Sequence, residues 1–312
     1  MIAVEGLRKQ YGDQVAIDGL TFTVPEGEIF GFIGPNGAGK TSTIRILATL
    51  LPTDGGNATV GGVPVNEAPD SVREIVGYMP DFFGVYDRLT AEEYLEFYAA
   101  CHGVPRRRRR RAALELLELV DLGSRMTQQV DTLSRGLKQR LCLARALVHD
   151  PKVLLLDEPA SGLDPRARVE MRELIRELRR LGKTILVSSH ILPELEELCS
   201  WIGFIDRGRM VAVGPLAEVR DRIHAGRRLR IALADPGPEH LRTALREVVE
   251  TDGVLGAEIR DGGLEATVGE GFADHDLLHR LVTRGVAVRS FAPAAGALAD
   301  AFMRLTAPEG DA

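Results

Sequence analysis

Residues 34–41 read Gly-Pro-Asn-Gly-Ala-Gly-Lys-Thr. They follow EIFGFIG (28–34), a short run rich in β-branched and aromatic residues, and lead into a stretch from Gly39 to Leu51 with helical spacing. Strand, glycine turn and helix are the context in which the spacing G-x-x-x-x-G-K-[ST] forms a phosphate cradle. Glycines let backbone N–H groups turn inward and approach phosphate oxygens closely. The helix N-terminus behind them adds a favourable dipole. On this reading Gly34, Pro35, Asn36, Gly37, Ala38, Gly39, Lys40, Thr41 and Ser42 surround a phosphate chain. Lys40 is expected to reach its β- and γ-phosphates, and Thr41 to ligate Mg2+.

A second chemical signal lies downstream. Val153–Asp157 is a continuous apolar run, the mark of a strand buried on both faces, and Glu158 follows it directly. A buried strand ending in two carboxylates is poorly explained by packing, because unpaired buried charge is costly. Asp157 is expected to hold Mg2+ through water. Glu158 is expected to take the proton of an attacking water, a role worth roughly 10²–10⁴-fold in rate.

Around these anchors the pattern is that of a parallel α/β core. A charged helical stretch, Arg166 to Leu181, leads from Val153–Asp157 to TILVSS (184–189), a second doubly buried strand. Residues 1–35 read as strands, as do NATVGG and EIVGYMP, whereas 90–149 are mostly helical. One of these helices is SRGLKQRLCLARALV, with Ser134 as its N-cap. Past Gly226, RRLRIAL, GVLGAEIR, GLEATV and VAVRSFA read as strands interleaved with two helical stretches, the order β-α-β-β-α-β of a small split βαβ module. The expected domains are therefore 1–222, with a helical subdomain at about 82–149, and an accessory domain at 227–312.

Composition narrows the partners. The chain has 312 residues, 45% hydrophobic, with net charge −6 and 5% aromatics, so neither a basic field nor a base-stacking surface points to nucleic acid. Cys101, Cys142 and Cys199 are far apart, in no metal-ligand spacing, and fit reduced cytosolic thiols. The N-terminus, charged within ten residues, does not read as a secretory signal, and no apolar run nears the ~20 residues of a membrane helix. Any service to a membrane is expected from the cytoplasmic side and through a partner. The run Arg106–Arg111 reads either as a solvated helix face or as a contact for anionic headgroups.

Further segments resemble the ABC-type ATPases. Leu133-Ser134-Arg135-Gly136-Leu137 is similar to the family's signature motif, and Ser161-Gly162-Leu163-Asp164 to its D-loop. His190 stands where the family has its switch histidine, and Tyr11 where it has an adenine-stacking aromatic. The resemblance covers residues 1 to about 220. It implies a P-loop cassette with a mixed sheet core, an antiparallel β-subdomain and a helical subdomain, here followed by a small α+β domain. It further implies a head-to-tail homodimer with ATP and Mg2+ sandwiched between one protomer's cradle and the other's Ser134 and Gly136. Asp164 would couple the two sites, and His190 would sense the γ-phosphate. The partner implied is an integral-membrane permease docked around 82–130, where PDFFGVYDRLT offers Phe82, Phe83 and Tyr86. The alternative is a soluble ABC ATPase acting on ribosomes or DNA, but those resemble fused or coiled-coil-split cassettes. Three positions depart from the family: Asp81 replaces a glutamine that touches Mg2+ and water, Arg135 replaces a signature glycine, and Leu137 replaces a signature glutamine. Asp81 is expected to keep contact with the cation, directly or through water. Arg135 would either meet the opposite nucleotide or face solvent or the permease. The closing segment GALADAFMRLT is similar to the end of drug-exporter-type ATPases.

Overall fold

The computed structural model describes residues 1–82, 84, 88–223, 227–269 and 271–293. They divide into two compact units, 1–216 and 217–312.

In the first unit, β1 (Ile2–Tyr11) and β2 (Gln14–Val24) form an antiparallel pair; β3 (Ile29–Ile33) follows and ends at the glycine turn that opens α1 (Lys40–Leu47). The helix is shorter than the sequence spacing suggests, because Thr49 turns into the left-handed region at φ +60° and stops propagation. Next come β4 (Gly55–Val60), β5 (Val63–Pro64), α2 (Pro69–Ile75) and β6 (Val76–Met79). Three helices follow, α3 (Ala91–Cys101), α4 (Arg106–Leu119) and α5 (Arg135–Ala146). The unit closes with β7 (Val153–Asp157), α6 (Pro165–Arg180), β8 (Thr184–Ser189), α7 (Leu192–Glu196), β9 (Trp201–Asp206) and β10 (Arg209–Pro215).

Two sheets result. One is antiparallel, in the order β2-β1-β4-β5. The other runs β10-β9-β3-β8-β7-β6, parallel except for the β10 edge. Every residue of β3, β7 and β8 is buried, which is why those strands read as unbroken apolar runs rather than alternating ones. One core joins the two sheets through Leu7, Leu20, Phe22, Phe30, Phe32, Ile44 and Leu186. Phe22 stacks on both Phe30 and Phe32 with centroids 5.4 Å apart. A separate cluster, including Tyr94, Leu95, Ala113, Leu117, Leu141 and Ala144, packs α3, α4 and α5 together. A capping box holds the start of α3: the Glu93 N–H donates to Thr90 Oγ1 at 3.3 Å, and the Thr90 N–H to Glu93 Oε2 at 2.8 Å.

The Arg106–Arg111 run occupies the first turns of α4. Arg110 pairs with Glu92 and Arg111 with Glu115, each at 2.7 Å, while Arg106, Arg107 and Arg108 are exposed. Phe82 is 89% exposed; Phe83 and Tyr86 lie outside the described residues, as does GALADAFMRLT.

After α8 (Leu216–Ile223), whose first residue ends the first unit, the second unit has β11 (Arg227–Leu233), α9 (Pro238–Val249), β12 (Val254–Arg260), β13 (Gly263–Val268), α10 (Asp274–Thr283) and β14 (Val288–Pro293). Its antiparallel sheet has the order β12-β13-β11-β14, so β13 is inserted between β11 and β12, the two strands that α9 connects. Leu229, Ile231, Leu264 and Ala266 pack there against Leu241, Ala244, Leu277 and Leu281 of the helices. Among the described residues no helix is long and apolar enough to cross a membrane.

Candidate active site

Four parallel strands deliver chemistry to one edge of the main sheet. The glycine turn follows β3, Asp81 follows β6, Asp157 and Glu158 end β7, and His190 follows β8. In open α/β sheets that edge, beyond the strands' carboxyl ends, is where ligands bind.

The turn after β3 could not be built with larger residues. Gly39, the N-cap of α1, has φ +106°, and a Cβ there would sit 2.6 Å from the Ala16 carbonyl. A Cβ on Gly34 would fall 2.3 Å from the Ile205 carbonyl. Inside the turn, Lys40 Nζ donates to the carbonyls of Gly34 (2.6 Å) and Pro35 (3.2 Å) and lies 3.7 Å from Glu158 Oε1. Burial lowers the Lys40 pKa from its ordinary value, and the charges of Glu158 and Asp157 oppose that shift. The lysine is thus a poorly solvated cation at the helix N-terminus, facing a carboxylate.

Asp157 is 1% exposed. Its Oδ1 accepts from Ser188 Oγ at 2.7 Å, and the same Ser188 oxygen accepts from the Glu158 backbone N–H at 3.0 Å. Glu158 adopts φ +50°, a left-handed conformation unusual outside glycine, and so leaves the strand line. Its carboxylate faces both Lys40 and His190, whose Nδ1 lies 2.9 Å from Glu158 Oε2. Ser188 was not singled out from the sequence. The available signal was the pair of serines ending an otherwise apolar strand, TILVSS.

These groups border an open cleft of about 420 Å³, lined by Tyr11, Gln14, Ala16, residues 35–42, Asp81, Glu158, Ser161 and His190. Gly34 and Asp157 are buried. Tyr11 is 47% exposed, and its hydroxyl lies 3.2 Å from Ser42 Oγ. Asp81 is exposed on the rim.

Ser134, Gly136 and Asp164 are not in this cleft. They line a second one, of about 360 Å³, together with Arg135, Arg140 and Gly162 among others. Ser134 caps α5, its Oγ accepting from the Leu137 N–H at 3.5 Å, and Asp164 caps α6, accepting from the Ala167 N–H at 2.9 Å. The Arg135 guanidinium lies over Gly162 of the same chain: a Cβ on Gly162 would be 2.2 Å from Arg135 Cζ. Gln139 of α5 donates to the Ser161 carbonyl at 3.0 Å, tying that helix to the turn that borders the first cleft.

The oxygen donors suit Mg2+. Thr41 and Asp81 line the cleft, and Asp157 lies buried at the end of β7 with one carboxylate oxygen already oriented. Hard oxygen ligands from one or two side chains, completed by water and phosphate, are what Mg2+ takes. Among the described residues there is no group of three or more His, Cys, Asp or Glu that could hold a metal ion.

Comparison with known proteins gives the chain's family. Residues 17–161 match the ABC transporter family. The linearmycin resistance ATP-binding protein LnrL of Bacillus subtilis (strain 168) is 37% identical over 223 residues, 72% of this chain and 72% of that protein. A Nod factor export ATP-binding protein I from Paraburkholderia xenovorans (strain LB400) is 39% identical over 256 residues, 82% of this chain and 83% of its own. Among solved structures, the dimeric MJ0796 bacterial ABC transporter cassette superposes with a TM-score of 0.63 at 26% identity, covering 69% of this chain and 99% of that one.

Proposed function

This chain belongs to the ABC transporter ATP-binding family and is an ATPase cassette, and from that premise we propose that it is the motor subunit of an exporter, working as a homodimer that drives a separate integral-membrane permease. The observation that carries the dimer is the separation of its two clefts. The phosphate cradle and the Ser134–Gly136 helix start share no lining residue, so the two clefts of one chain do not form a single site. Two chains related head to tail bring one's cradle against the other's helix start, twice. Each Ser134 helix would then aim its positive end at a γ-phosphate bound by its neighbour.

Within that sandwich the residues take distinct parts. Tyr11 stacks on the adenine, and residues 34–42 wrap the phosphates with Lys40 at the β- and γ-positions. Thr41 and Asp157 would hold Mg2+, which would neutralise phosphate charge, and Asp81 would contact it directly or through water. Glu158 accepts the proton of the attacking water, and His190, hydrogen-bonded to that carboxylate, senses the γ-phosphate. Asp164, beside Ser134 and Gly136, couples the two sites. ATP binding closes the dimer; hydrolysis and phosphate release open it.

Export is inferred from the relatives named above, whose names speak of resistance and export. The protein would act at the cytoplasmic face of the cell membrane, with the permease supplying the membrane span and binding the cargo. The α3 and α4 helices, with the exposed Phe82 before them, would meet the permease. Residues 1–222 would form the cassette and 227–312 an accessory domain that supports the dimer. Affinity purification from detergent-solubilised membranes tests the motor reading. Co-isolation of a multi-span membrane protein is expected; co-sedimentation with ribosomes or DNA instead would overturn it.

A further inference from the structure

Ser188 closes β8 beside the carboxylates and is wholly buried in the sheet. Parallel pairing makes it the Cα partner of Asp157. A serine hydroxyl has one proton to give and lone pairs to accept with, and here it does both: it donates to Asp157 Oδ1 and accepts from the Glu158 N–H. The first bond fixes the rotation of the Asp157 carboxylate. The second pins a residue held at φ +50°, where side chains other than glycine rarely stay unless the surroundings hold them. The turn is tied from its other end too, by the Ser161 N–H donating to the Glu158 carbonyl at 3.0 Å.

From this geometry we infer that Ser188 is a positioning residue for hydrolysis, one hydroxyl that sets both the orientation of the cation-holding Asp157 and the backbone that aims Glu158. The inference rests on the roles proposed above for those two carboxylates. Removing the hydroxyl frees the Asp157 rotamer and leaves the Glu158 N–H without its acceptor. The carboxylate of Glu158 can then drift from its places 3.7 Å from Lys40 and 2.9 Å from His190. The phosphate cradle is built from other residues, so nucleotide capture is spared.

The test uses the full chain with Ser188→Ala, Ser188→Thr and Ser188→Cys, and Glu158→Gln beside them. Two quantities are read: kcat and KM for ATP, and the affinity of the nucleotide-bound protein for Mn2+ by electron paramagnetic resonance. Ser188→Ala should lower kcat and weaken Mn2+ binding, each by about 10–100-fold, the range for outer-shell partners of metal ligands, with KM for ATP unchanged. Ser188→Thr keeps the hydroxyl and should restore both. Should its methyl group prevent folding, Ser188→Cys, a weaker donor of similar size, should fall between serine and alanine. A Ser188→Ala variant that loses only thermal stability, with Mn2+ affinity and kcat intact, would overturn the inference. So would a folded threonine variant as impaired as alanine. If Glu158→Gln turns over normally, the underlying reading of Glu158 fails; if it is inactive while Ser188→Ala is normal, only the role of Ser188 fails.

Discussion

Acidification from pH 7 to pH 5 should remove about 2 kcal/mol of the first unit's stability at His149. This histidine lies between α5 and β7 and stacks on His102, at the end of α3, with ring centroids 4.0 Å apart and planes 1° from parallel. Its Nε2 contacts the Val76 carbonyl at the start of β6 at 3.0 Å, and its buried Nδ1 has no hydrogen-bond partner among the described residues. The ring thus bridges the helical cluster and the main sheet, and a proton added to it would be poorly solvated. Burial first, then the neighbouring His102, pushes its pKa down from 6.5 to about 4; Lys183 acts in the same direction, while the Val76 carbonyl and Asp150 oppose it. Burial first, then Arg145, likewise lowers the pKa of His102. Because the folded pKa is the depressed one, the unfolded chain takes up the proton first as pH falls. The stabilisation is therefore complete above pH 6.5 and lost as pH falls toward 4. At pH 5 nearly all of the unfolded histidine is protonated and little of the folded, which gives the ~2 kcal/mol. Urea unfolding followed by the fluorescence of Trp201, the one tryptophan, measures this unit at both pH values. His149→Phe keeps a ring against His102 but cannot titrate. It should lose about 2 kcal/mol less than the wild type between pH 7 and pH 5. Equal losses in the two proteins would refute the reasoning.

Gly34→Ala places its methyl 2.3 Å from the Ile205 carbonyl and 2.8 Å from Ile205 Cγ2, so the cradle or β9 must shift. Stability should fall by about 1–3 kcal/mol, with weaker binding of a fluorescent ATP analogue, and an unchanged melt and affinity would contradict the packing described. Asp81→Asn removes a charge from the cleft rim and should raise the Mg2+ concentration for half-maximal turnover by roughly fivefold, equivalent to about 1 kcal/mol for a solvent-exposed carboxylate. If Mg2+ dependence and turnover both stay put, Asp81 has no contact with the cation. Replacing Arg106, Arg107 and Arg108 together by alanine should weaken binding to anionic liposomes if that helix start meets headgroups, at roughly 1 kcal/mol per charge; unchanged binding assigns it to solvent.

The cradle and the two carboxylates were legible because each is written contiguously at the end of a strand, where local spacing and local chemistry coincide. The parallel core was legible for a related reason, since doubly buried strands leave apolar runs such as Val153–Asp157 and Thr184–Ser189. Ser188 was not, because its bonds to Asp157 and Glu158 arise from the register of two strands 31 and 30 residues apart. The stacking of His102 on His149 likewise depends on how α3 packs beside the sheet. Arg135 could be read only as facing a nucleotide, solvent or a partner, whereas its guanidinium lies on Gly162, a glycine at φ +66° with no side chain to exclude it. The end of α1 was misjudged by one turn because Thr49 gives no sequence warning of its left-handed backbone.

The central claim, that ATP is gripped between two chains, is tested most directly by light scattering behind size exclusion on Glu158→Gln with Mg-ATP. On the role proposed for Glu158 that variant should not hydrolyse ATP, while residues 34–42 and the Ser134 helix start keep their sequence. The account predicts a species of twice the 34.0 kDa chain mass that reverts to the monomer when nucleotide is removed. A variant that binds ATP stoichiometrically and remains monomeric at every concentration would contradict it.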